Sequence, residues 1–516
     1  MQVERFLEAS AERLPDKVAL VCGGRRLTYR QIDEASNRLA AALLAAGVRR
    51  GDRVAICLEN SVEAVLAVFA ALKAGGVFMV VNPTTKADKL AFVLNDSRAS
   101  ALFLSGRRMD LLARIAPVTP HTGIALLTGV PEAGTDGAKR LLAVDAVLAD
   151  ASLPATKPAN RCIDIDLAAL VYTSGSTGTP KGVMLTHLNI VSAATSITTY
   201  LENTEDDVIF NVLPLSFDYG LYQVLMAFKV GGTVVVERSF TYPHDALQRL
   251  VAERATGFPI VPTIAAILLQ LDLSRYDFSS LRYVTNTGAA LPTEHIRRLR
   301  RLLPHVRLYS MYGLTECKRV SYLPPEEIDT RPTSVGKGMP NEEVYIVDEQ
   351  GRRLESGVGE LVIRGSNVMR GYWERPEETA RVLRPGPIPG ELVLYSGDIF
   401  RMDEEGYLYF IGRKDDIIKT RGEKVSPKEV ENVLYELEAV AEAAVVGVPD
   451  PILGQAVKAV VTPKPGAVLT APEVLRHCAA RLEDFMVPKI VEVRASLPKT
   501  SSGKIDKKSL HAVEVA

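Results

Sequence analysis

Cysteine is scarce in this sequence, which has five cysteines among 516 residues and no Cys-x-x-Cys pair. They are Cys22, Cys57, Cys162, Cys317 and Cys478. An odd, scattered set of cysteines predicts neither a disulfide framework nor a zinc site, so we expect reduced thiols. The seven histidines show no His-x-x-x-His spacing, and no Gly-x-Ser-x-Gly elbow is present to indicate a serine hydrolase.

Long apolar runs and an excess of charge of either sign are also missing. No uninterrupted apolar stretch approaches the ~18 residues of a membrane-spanning helix. The first 20 residues mix charged and apolar side chains, unlike a signal peptide. The 61 basic and 62 acidic residues give a net charge of −1 without long runs of one sign. We therefore expect no nucleic-acid partner, no membrane association and a cytoplasmic location.

Length and patterning instead predict a globular α/β protein of two or three domains. Valine-rich strands alternate with helical patterns, as in Arg53 to Leu58 followed by Ser61 to Lys73, which is typical of parallel sheets covered on both faces. Short strands with glycine-rich turns predict a small β-barrel subdomain at about 334–410. Residues 131–139 are expected to form at most a surface loop.

The pattern changes again after Arg413, where helices and strands alternate over about 100 residues, a plausible size for a separate α+β domain. We therefore predict a large N-terminal domain, residues 1–412, made of two parallel-rich α/β subdomains and the β-barrel subdomain. A small C-terminal α+β domain would follow, residues 413–516.

Residues 171–182 read VYTSGSTGTPKG, a short strand followed by a polar loop. Its glycines let backbone N–H groups turn towards an anion, its hydroxyls add donors and its lysine adds a charge. The spacing differs from that of a P-loop, and no Ser or Thr follows the lysine. We predict a polyphosphate-binding loop rather than a flexible connector. Its candidate binding residues are Thr173, Ser174, Gly175, Ser176, Thr177, Gly178 and Lys181.

Six further segments follow in a fixed order: Thr287 to Ala290, Tyr312 to Glu316, Tyr395 to Asp398, Gly412 to Asp416, Lys419 to Gly422 and Leu497 to Lys504. Together with the loop they resemble the acyl-adenylating superfamily, which includes acyl-CoA synthetases, firefly luciferases and the adenylation domains of peptide synthetases. The resemblance covers essentially the whole chain. It implies ATP-dependent activation of a carboxylic acid to acyl-AMP with release of pyrophosphate.

The resemblance assigns roles around the nucleotide. It implies that Tyr312, followed by Gly313, stacks on adenine, that the backbone of Gly288 and Ala289 forms the floor of the adenine site, and that Thr315 contacts the α-phosphate. Glu316 would bind Mg²⁺, since a nucleotide-bound metal takes one or two carboxylates plus phosphate oxygens; the alternative is a surface glutamate. Asp398 and Arg413 would hold the ribose and the nearby phosphate, although an aspartate after glycine also stabilises turns.

Lys504 would otherwise be a solvated charge in a small loop. By resemblance it enters the site in the first half-reaction and bridges the attacking carboxylate and the phosphate. After pyrophosphate leaves, the mobile C-terminal domain would rotate about a hinge at Asp415. Lys419 and the thiol-acceptor residues Arg421 and Gly422 would then lie beside a thiol tunnel.

The acyl pocket is expected at Phe217, Asp218 and Tyr219. Many aryl- and fatty-acyl-CoA ligases have histidine where Phe217 stands, whereas amino-acid-activating relatives carry Phe-Asp, with the aspartate on the substrate's ammonium. A buried carboxylate needs such a cation or several hydrogen bonds. The alternative is that Asp218 caps or braces the following helix.

The segment from Arg421 to Glu431 looks more like that of CoA ligases than that of peptide synthetases. We therefore predict an AMP-forming acyl-CoA synthetase, an acid–thiol ligase using ATP, Mg²⁺ and CoA. The alternative is a stand-alone ligase that loads an amino acid such as proline onto the phosphopantetheine of a separate carrier protein. Nothing in the sequence indicates the oxygen chemistry of a luciferase, and a non-catalytic scaffold would be expected to lack Lys504 or Glu316.

Overall fold

The computed structural model describes residues 1–130, 134–136, 139–159, 162–174, 180–414, 416–420, 423–500 and 504–510. In these ranges no helix is both long and apolar enough to cross a membrane. The helices are Arg5–Arg13, Tyr29–Ala45, Val62–Lys73, Ala87–Asp96, Met109–Ile115, Val144–Ala149, His187–Tyr200, Asp218–Val230, Pro243–Ala252, Pro262–Leu268, Thr293–Leu302, Pro376–Val382, Pro427–Leu434 and Ala471–Ala479.

Two nine-stranded sheets, each with a parallel centre, form most of the large domain. The first has the spatial order Lys337–Gly338, Ser321–Tyr322, Arg307–Tyr312, Tyr283–Asn286, Gly257–Ile260, Val208–Asn211, Thr233–Val236, Val18–Cys22 and Arg25–Thr28. The second has the order Gly371–Tyr372, Pro180–Thr186, Leu167–Ser174, Val77–Val80, Arg53–Cys57, Ala99–Ser105, Ile124–Thr128, Lys139–Ala143 and Gly134–Asp136. The predicted α/β class with parallel-rich subdomains is confirmed.

Local chemistry explains why strand and helix alternate. The strand Arg53–Cys57 is buried along most of its length, and Ser61 then accepts a hydrogen bond from the Ala64 amide and starts the next helix. Such N-caps satisfy amides that a helix leaves free at its start. Gly231, at φ +87°, ends the helix Asp218–Val230 in a left-handed conformation that suits glycine. Capping residues therefore set the ends of these two helices.

An antiparallel sheet occupies the region where a small β-barrel subdomain is predicted. Its strands are Arg353–Leu354, Glu342–Val347, Gly357–Gly365, Leu392–Met402, Leu383–Pro385 and Leu408–Arg413. A last sheet joins Glu423–Val425, Ile418–Thr420, Gly454–Pro463, Val440–Asp450 and Ile490–Val493, with its own apolar cluster beneath the helices Pro427–Leu434 and Ala471–Ala479. The domain boundary at residues 412 and 413 stays a prediction.

One local expectation is wrong. Residues 131–139 were expected to form at most a surface loop, but Gly134–Asp136 is a short edge strand paired antiparallel with Lys139–Ala143. Only main-chain pairing to a neighbouring strand defines this segment, because three polar or small residues carry no alternating apolar pattern.

Candidate active site

The candidate site lies where parallel strands of the first sheet end. Val208–Asn211, Tyr283–Asn286 and Arg307–Tyr312 run in the same direction, so their carboxyl ends lie along one edge. The segments that follow contain Phe217, Gly288 and Glu316 respectively. Ligands in open parallel sheets bind outside the carboxyl ends of the strands. The topology thus brings together three predicted motifs that are far apart in sequence.

The side of the site predicted to hold adenosine is built around a contact between two predicted residues. The Tyr312 hydroxyl donates to Asp398 Oδ2 at 2.5 Å, and its ring packs edge-on against Phe400 with ring centres 4.8 Å apart. Arg413 lies opposite Asp398 in the antiparallel pair, with its Nε 3.7 Å from Asp398 Oδ1. Burial raises the pKa of Asp398 to about 6, and the Tyr312 hydrogen bond opposes the rise. A largely buried carboxylate beside an aromatic ring suits a nucleoside.

The backbone of residues 287–290, the predicted floor of the adenine site, approaches the C-terminal domain closely. Gly288 has φ +84°, and a Cβ built on it would lie 3.2 Å from Lys504 Cε. The Ala289 carbonyl accepts a hydrogen bond from the Asn286 side chain at 3.0 Å. Lys428, from the C-terminal domain, donates to the Ala290 carbonyl at 3.2 Å. The two domains are therefore closed on each other at this segment.

The phosphate side combines a lysine, a tyrosine and a glutamate. Thr173 pairs with Lys181 across adjacent strands, and Lys181 Nζ lies 5.3 Å from the centre of the Tyr372 ring. The Tyr372 hydroxyl donates to Glu316 Oε1 at 2.8 Å. Ser174 ends the strand, whereas the predicted loop residues Gly175, Ser176, Thr177 and Gly178 lie outside the described residues.

The turn that carries Thr315 and Glu316 is tightly folded. A Cβ on Gly313 would lie 2.3 Å from the Lys318 carbonyl oxygen, so this close approach requires glycine. Thr315 is half-buried within the turn. The Met369 amide donates to the Glu316 carbonyl at 2.7 Å and fixes the backbone there. A carboxylate held in this way is a hard oxygen ligand of the kind Mg²⁺ takes alongside phosphate oxygens.

The side of the site predicted to hold the acid, called the acyl side below, contains all three predicted pocket residues. Lys504 Nζ lies 5.6 Å from the centre of the Phe217 ring. The Tyr219 hydroxyl donates to the Thr285 carbonyl at 2.9 Å. Asp218 is the first residue of its helix, and its carboxylate lies 3.5 Å from Lys318 Nζ. Burial lowers the pKa of Lys504 from its usual value, and the nearby Asp218 opposes that shift.

Sequence reasoning missed the residues that follow Glu316. Lys318 and Arg319 are buried beside the acyl side, and Lys318 has a left-handed φ of +70°. Burial lowers the pKa of Lys318 to about 7, although Asp218 opposes the shift. The available signal was a pair of cations just after the Tyr312 to Glu316 segment, in a chain whose charges are balanced. Tyr372 and Lys428 were also missed, because each reaches the site only through tertiary packing.

Lys419, which is predicted to act in the second half-reaction, is not part of this cluster. The Lys419 side chain is exposed, and its amide donates to Gln455 Oε1 at 2.7 Å within the C-terminal sheet. Within the part of the chain that the structure describes, Lys419 has no hydrogen bond or ion pair with Lys504 or with residues 287–290. Asp415, Arg421 and Gly422 lie outside the described residues.

Comparison with known proteins identifies this architecture. The model of the AMP-binding enzyme family matches residues 7–373, and that of the AMP-binding enzyme C-terminal domain matches residues 429–504. The chain belongs to the AMP-binding enzyme family. The long-chain-fatty-acid–CoA ligase of Bacillus subtilis (strain 168) is 33% identical to it, over 98% of this chain and 94% of the relative. Feruloyl-CoA synthase of Amycolatopsis sp is 36% identical, over 96% and 95% respectively.

Solved structures agree with the family. The anthranilate CoA ligase AuaEII in complex with anthranoyl-AMP superposes with a TM-score of 0.89 at 27% identity, covering 99% of this chain and 96% of that one. ATP-bound MatB from Rhodopseudomonas palustris gives 0.87, and apo MatB 0.79, both at 29% identity with 99% and 98% coverage. The enzyme described here is thus closer in arrangement to the ATP-bound form.

The predictions of an AMP-forming acid–thiol ligase, and of acid activation to acyl-AMP followed by thioester formation with CoA, are confirmed at the level of the family. The use of ATP follows from the family as well. The acid that the enzyme activates and the roles of individual residues stay open.

Proposed function

We propose that this enzyme joins a carboxylic acid to CoA, and that the described arrangement is the one in which the acid is adenylated. The observation that carries this proposal is the position of Lys504. It comes from the far end of the chain, yet its side chain lies against both Gly288 on the nucleotide side and Phe217 on the acyl side. A cation at this junction has the placement needed to serve an acid and a nucleotide together.

In the proposed first step, a carboxylate oxygen of the acid forms a bond to the α-phosphorus of ATP, and the bond from that phosphorus to pyrophosphate breaks. Two anions must meet, so catalysis depends on neutralising charge and aligning the groups rather than on moving protons. Lys504 would neutralise the carboxylate and the α-phosphate, Thr315 would donate to that phosphate, and Lys181 would hold the departing phosphates.

The nucleotide would be held by groups already oriented for it. Tyr312 would stack on adenine over the Gly288 and Ala289 backbone, and Asp398 would accept hydrogen bonds from the ribose hydroxyls, with Arg413 beside it. The main-chain geometry supports this, because Gly288 leaves a flat face where a side chain would project. Glu316 would hold Mg²⁺, whose positive charge offsets that of the phosphates when it is bound.

In the proposed second step, the sulfur of CoA attacks the acyl carbon and AMP leaves. Rotation of residues 413–516 about Asp415 would withdraw Lys504 and bring Lys419, Arg421 and Gly422 to the thiol. The exposed position of Lys419 agrees with a residue that waits outside the site during adenylation. The likeness of residues 421–431 to CoA ligases favours CoA over a carrier protein.

The test measures acid-dependent pyrophosphate release across fatty, aryl and amino acids, followed by thioester formation with and without CoA. Lys504→Ala should lose this pyrophosphate release. Its matched control is Lys499→Ala, because Lys499 lies five positions from Lys504 and its side chain pairs with Glu442 Oε1 at 2.7 Å. We expect pyrophosphate release with at least one acid and a thioester only when CoA is added. Thioester formation on a carrier protein, with none on CoA, would overturn the choice of acceptor.

A further inference from the structure

Arg319 is the largest fully buried side chain of the described residues, with only 1% of its surface exposed. Its Nε and Nη1 atoms are shielded from solvent and have no hydrogen-bond partner within the part of the chain that the structure describes. Buried guanidinium groups are normally paired, since leaving one without an anion is very unfavourable. Arg319 therefore has unused capacity to bind an acceptor.

Aromatic rings, the Lys318 ammonium and the Asp218 carboxylate lie in the region of Arg319. Its guanidinium carbon lies 5.2 Å from the centre of the Tyr219 ring, and the neighbouring Lys318 Nζ lies 4.3 Å from the centre of the Tyr222 ring. The nearby carboxylate of Asp218 is already matched by Lys318 at 3.5 Å. The charged side chains here are therefore Arg319, Lys318 and Asp218, and the carboxylate pairs with Lys318 rather than with Arg319.

Arg319 is connected to the acyl side through shared contacts. Tyr219, on which the guanidinium packs, also contacts Phe217, with ring centres 6.1 Å apart. Phe217 in turn is the ring beneath Lys504. An acid whose reacting carboxylate lies at Lys504 would extend past Phe217 towards Tyr219. The far end of such an acid would approach Arg319.

We propose that the acid activated by this enzyme carries a second carboxylate at its far end, and that Arg319 binds it through Nε and Nη1. The inference rests on the proposed function and narrows its substrate class to dicarboxylic acids. A guanidinium edge matches a carboxylate in bidentate geometry. A simple fatty acid would leave the buried guanidinium unpaired, and an α-amino acid would add an ammonium without supplying the acceptor that Arg319 lacks.

The test compares kcat/KM for dicarboxylic acids of increasing chain length with kcat/KM for monocarboxylic acids of the same length, in buffer free of chloride and acetate. We expect the wild type to prefer the diacid at one or two chain lengths. Arg319→Met should reduce that preference about a hundredfold, which is the usual loss when one partner of a buried charged pair is removed. Arg319→Lys should retain part of it. The control Arg300→Met, whose arginine pairs with Asp329, should leave the ratio unchanged.

A second readout needs no variant. Thermal melting of the wild type should shift more with the preferred diacid than with the monoacid of equal length. Wild-type enzyme that adenylates monoacids and never prefers a diacid would overturn the inference and leave the proposed function intact. Loss of activity on both acids by the same factor in Arg319→Met would also overturn it. If no acid is adenylated, the proposed function is wrong. In that case the melting shifts still test the inference, and equal shifts with diacid and monoacid would refute it.

Discussion

The ion pair between Asp218 and Lys318 makes the sharpest prediction about the acyl pocket. The carboxylate and the ammonium lie 3.5 Å apart, and their side chains are 13% and 4% exposed. Asp218→Asn removes the anion and leaves the lysine buried without a counter-charge. At pH 6, where Lys318 of the wild type carries its proton, breaking a buried pair in this way costs up to about 3–5 kcal/mol, and the cost falls at higher pH as Lys318 loses that proton. The double variant Asp218→Asn with Lys318→Met removes both charges, so we expect it to be more stable than Asp218→Asn alone.

Protonation of Lys318 makes the free energy of unfolding depend on pH, and the direction of its pKa shift gives the sign of that dependence. Its pKa is lowered by burial from 10.5 to about 7, whereas the unfolded chain keeps the proton at higher pH. Between these values folding releases a proton, so the wild type should gain stability relative to Lys318→Met as the pH rises. The expected gain is ~1.4 kcal/mol for each pH unit.

The assay is urea unfolding of the wild type, both single variants and the double variant at pH 6, 7 and 9. A double-mutant cycle gives the coupling energy directly. Additive effects, together with a pH-independent difference between wild type and Lys318→Met, would refute the buried pair.

Activity gives a second criterion. Asp218→Ala should lower kcat/KM for every acid by a similar factor, whereas a selective loss of about a thousandfold on an amino acid would show that Asp218 binds a substrate ammonium instead.

Three further variants test the nucleotide side and domain closure. Burial raises the pKa of Asp398 to about 6, so adenosine, which has no phosphate to titrate, should bind about tenfold more weakly for each pH unit below 6. Calorimetry on Asp398→Asn should show weak binding that does not depend on pH. A pH dependence of binding in Asp398→Asn equal to that of the wild type would contradict the role of Asp398 in holding the ribose. Gly288→Ala places a side chain at φ +84° and 3.2 Å from Lys504 Cε, so adenylation should fall at least about tenfold; full activity would count against the close approach. Lys428→Met removes the hydrogen bond to the Ala290 carbonyl and should slow adenylation without altering thioester formation from supplied acyl-AMP, and equal slowing of both would contradict a contact specific to the first closed form.

Patterns within one segment could be read from the sequence, because hydrophobic period and capping act locally. The strand Arg53–Cys57 and the helix Val62–Lys73 lie within a residue of their predicted positions. Motif resemblance then identified residues that meet in space, such as Tyr312 and Asp398.

Contacts that depend on tertiary packing could not be predicted from the sequence. Tyr372 reaches Glu316 because Gly371–Tyr372 pairs with Met184 and Val183 at the edge of the second sheet, and a two-residue strand has no periodic signal. Lys318 meets Asp218 across a separation of 100 positions, and nothing in the composition of either segment specifies the partner. The two adjacent cations Lys318 and Arg319 were visible in the sequence, but their burial was not.

In the proposed mechanism Lys504 serves adenylation alone. The most direct measurement compares the two half-reactions in Lys504→Ala, with Lys499→Ala as control: acid-dependent exchange of pyrophosphate into ATP, and conversion of supplied acyl-AMP to the CoA thioester. Removing the charge that offsets two meeting anions should lower the first rate by about a thousandfold or more. The second rate should stay within a few-fold of the wild type. Equal loss of both rates, or an unchanged exchange rate, would contradict the account.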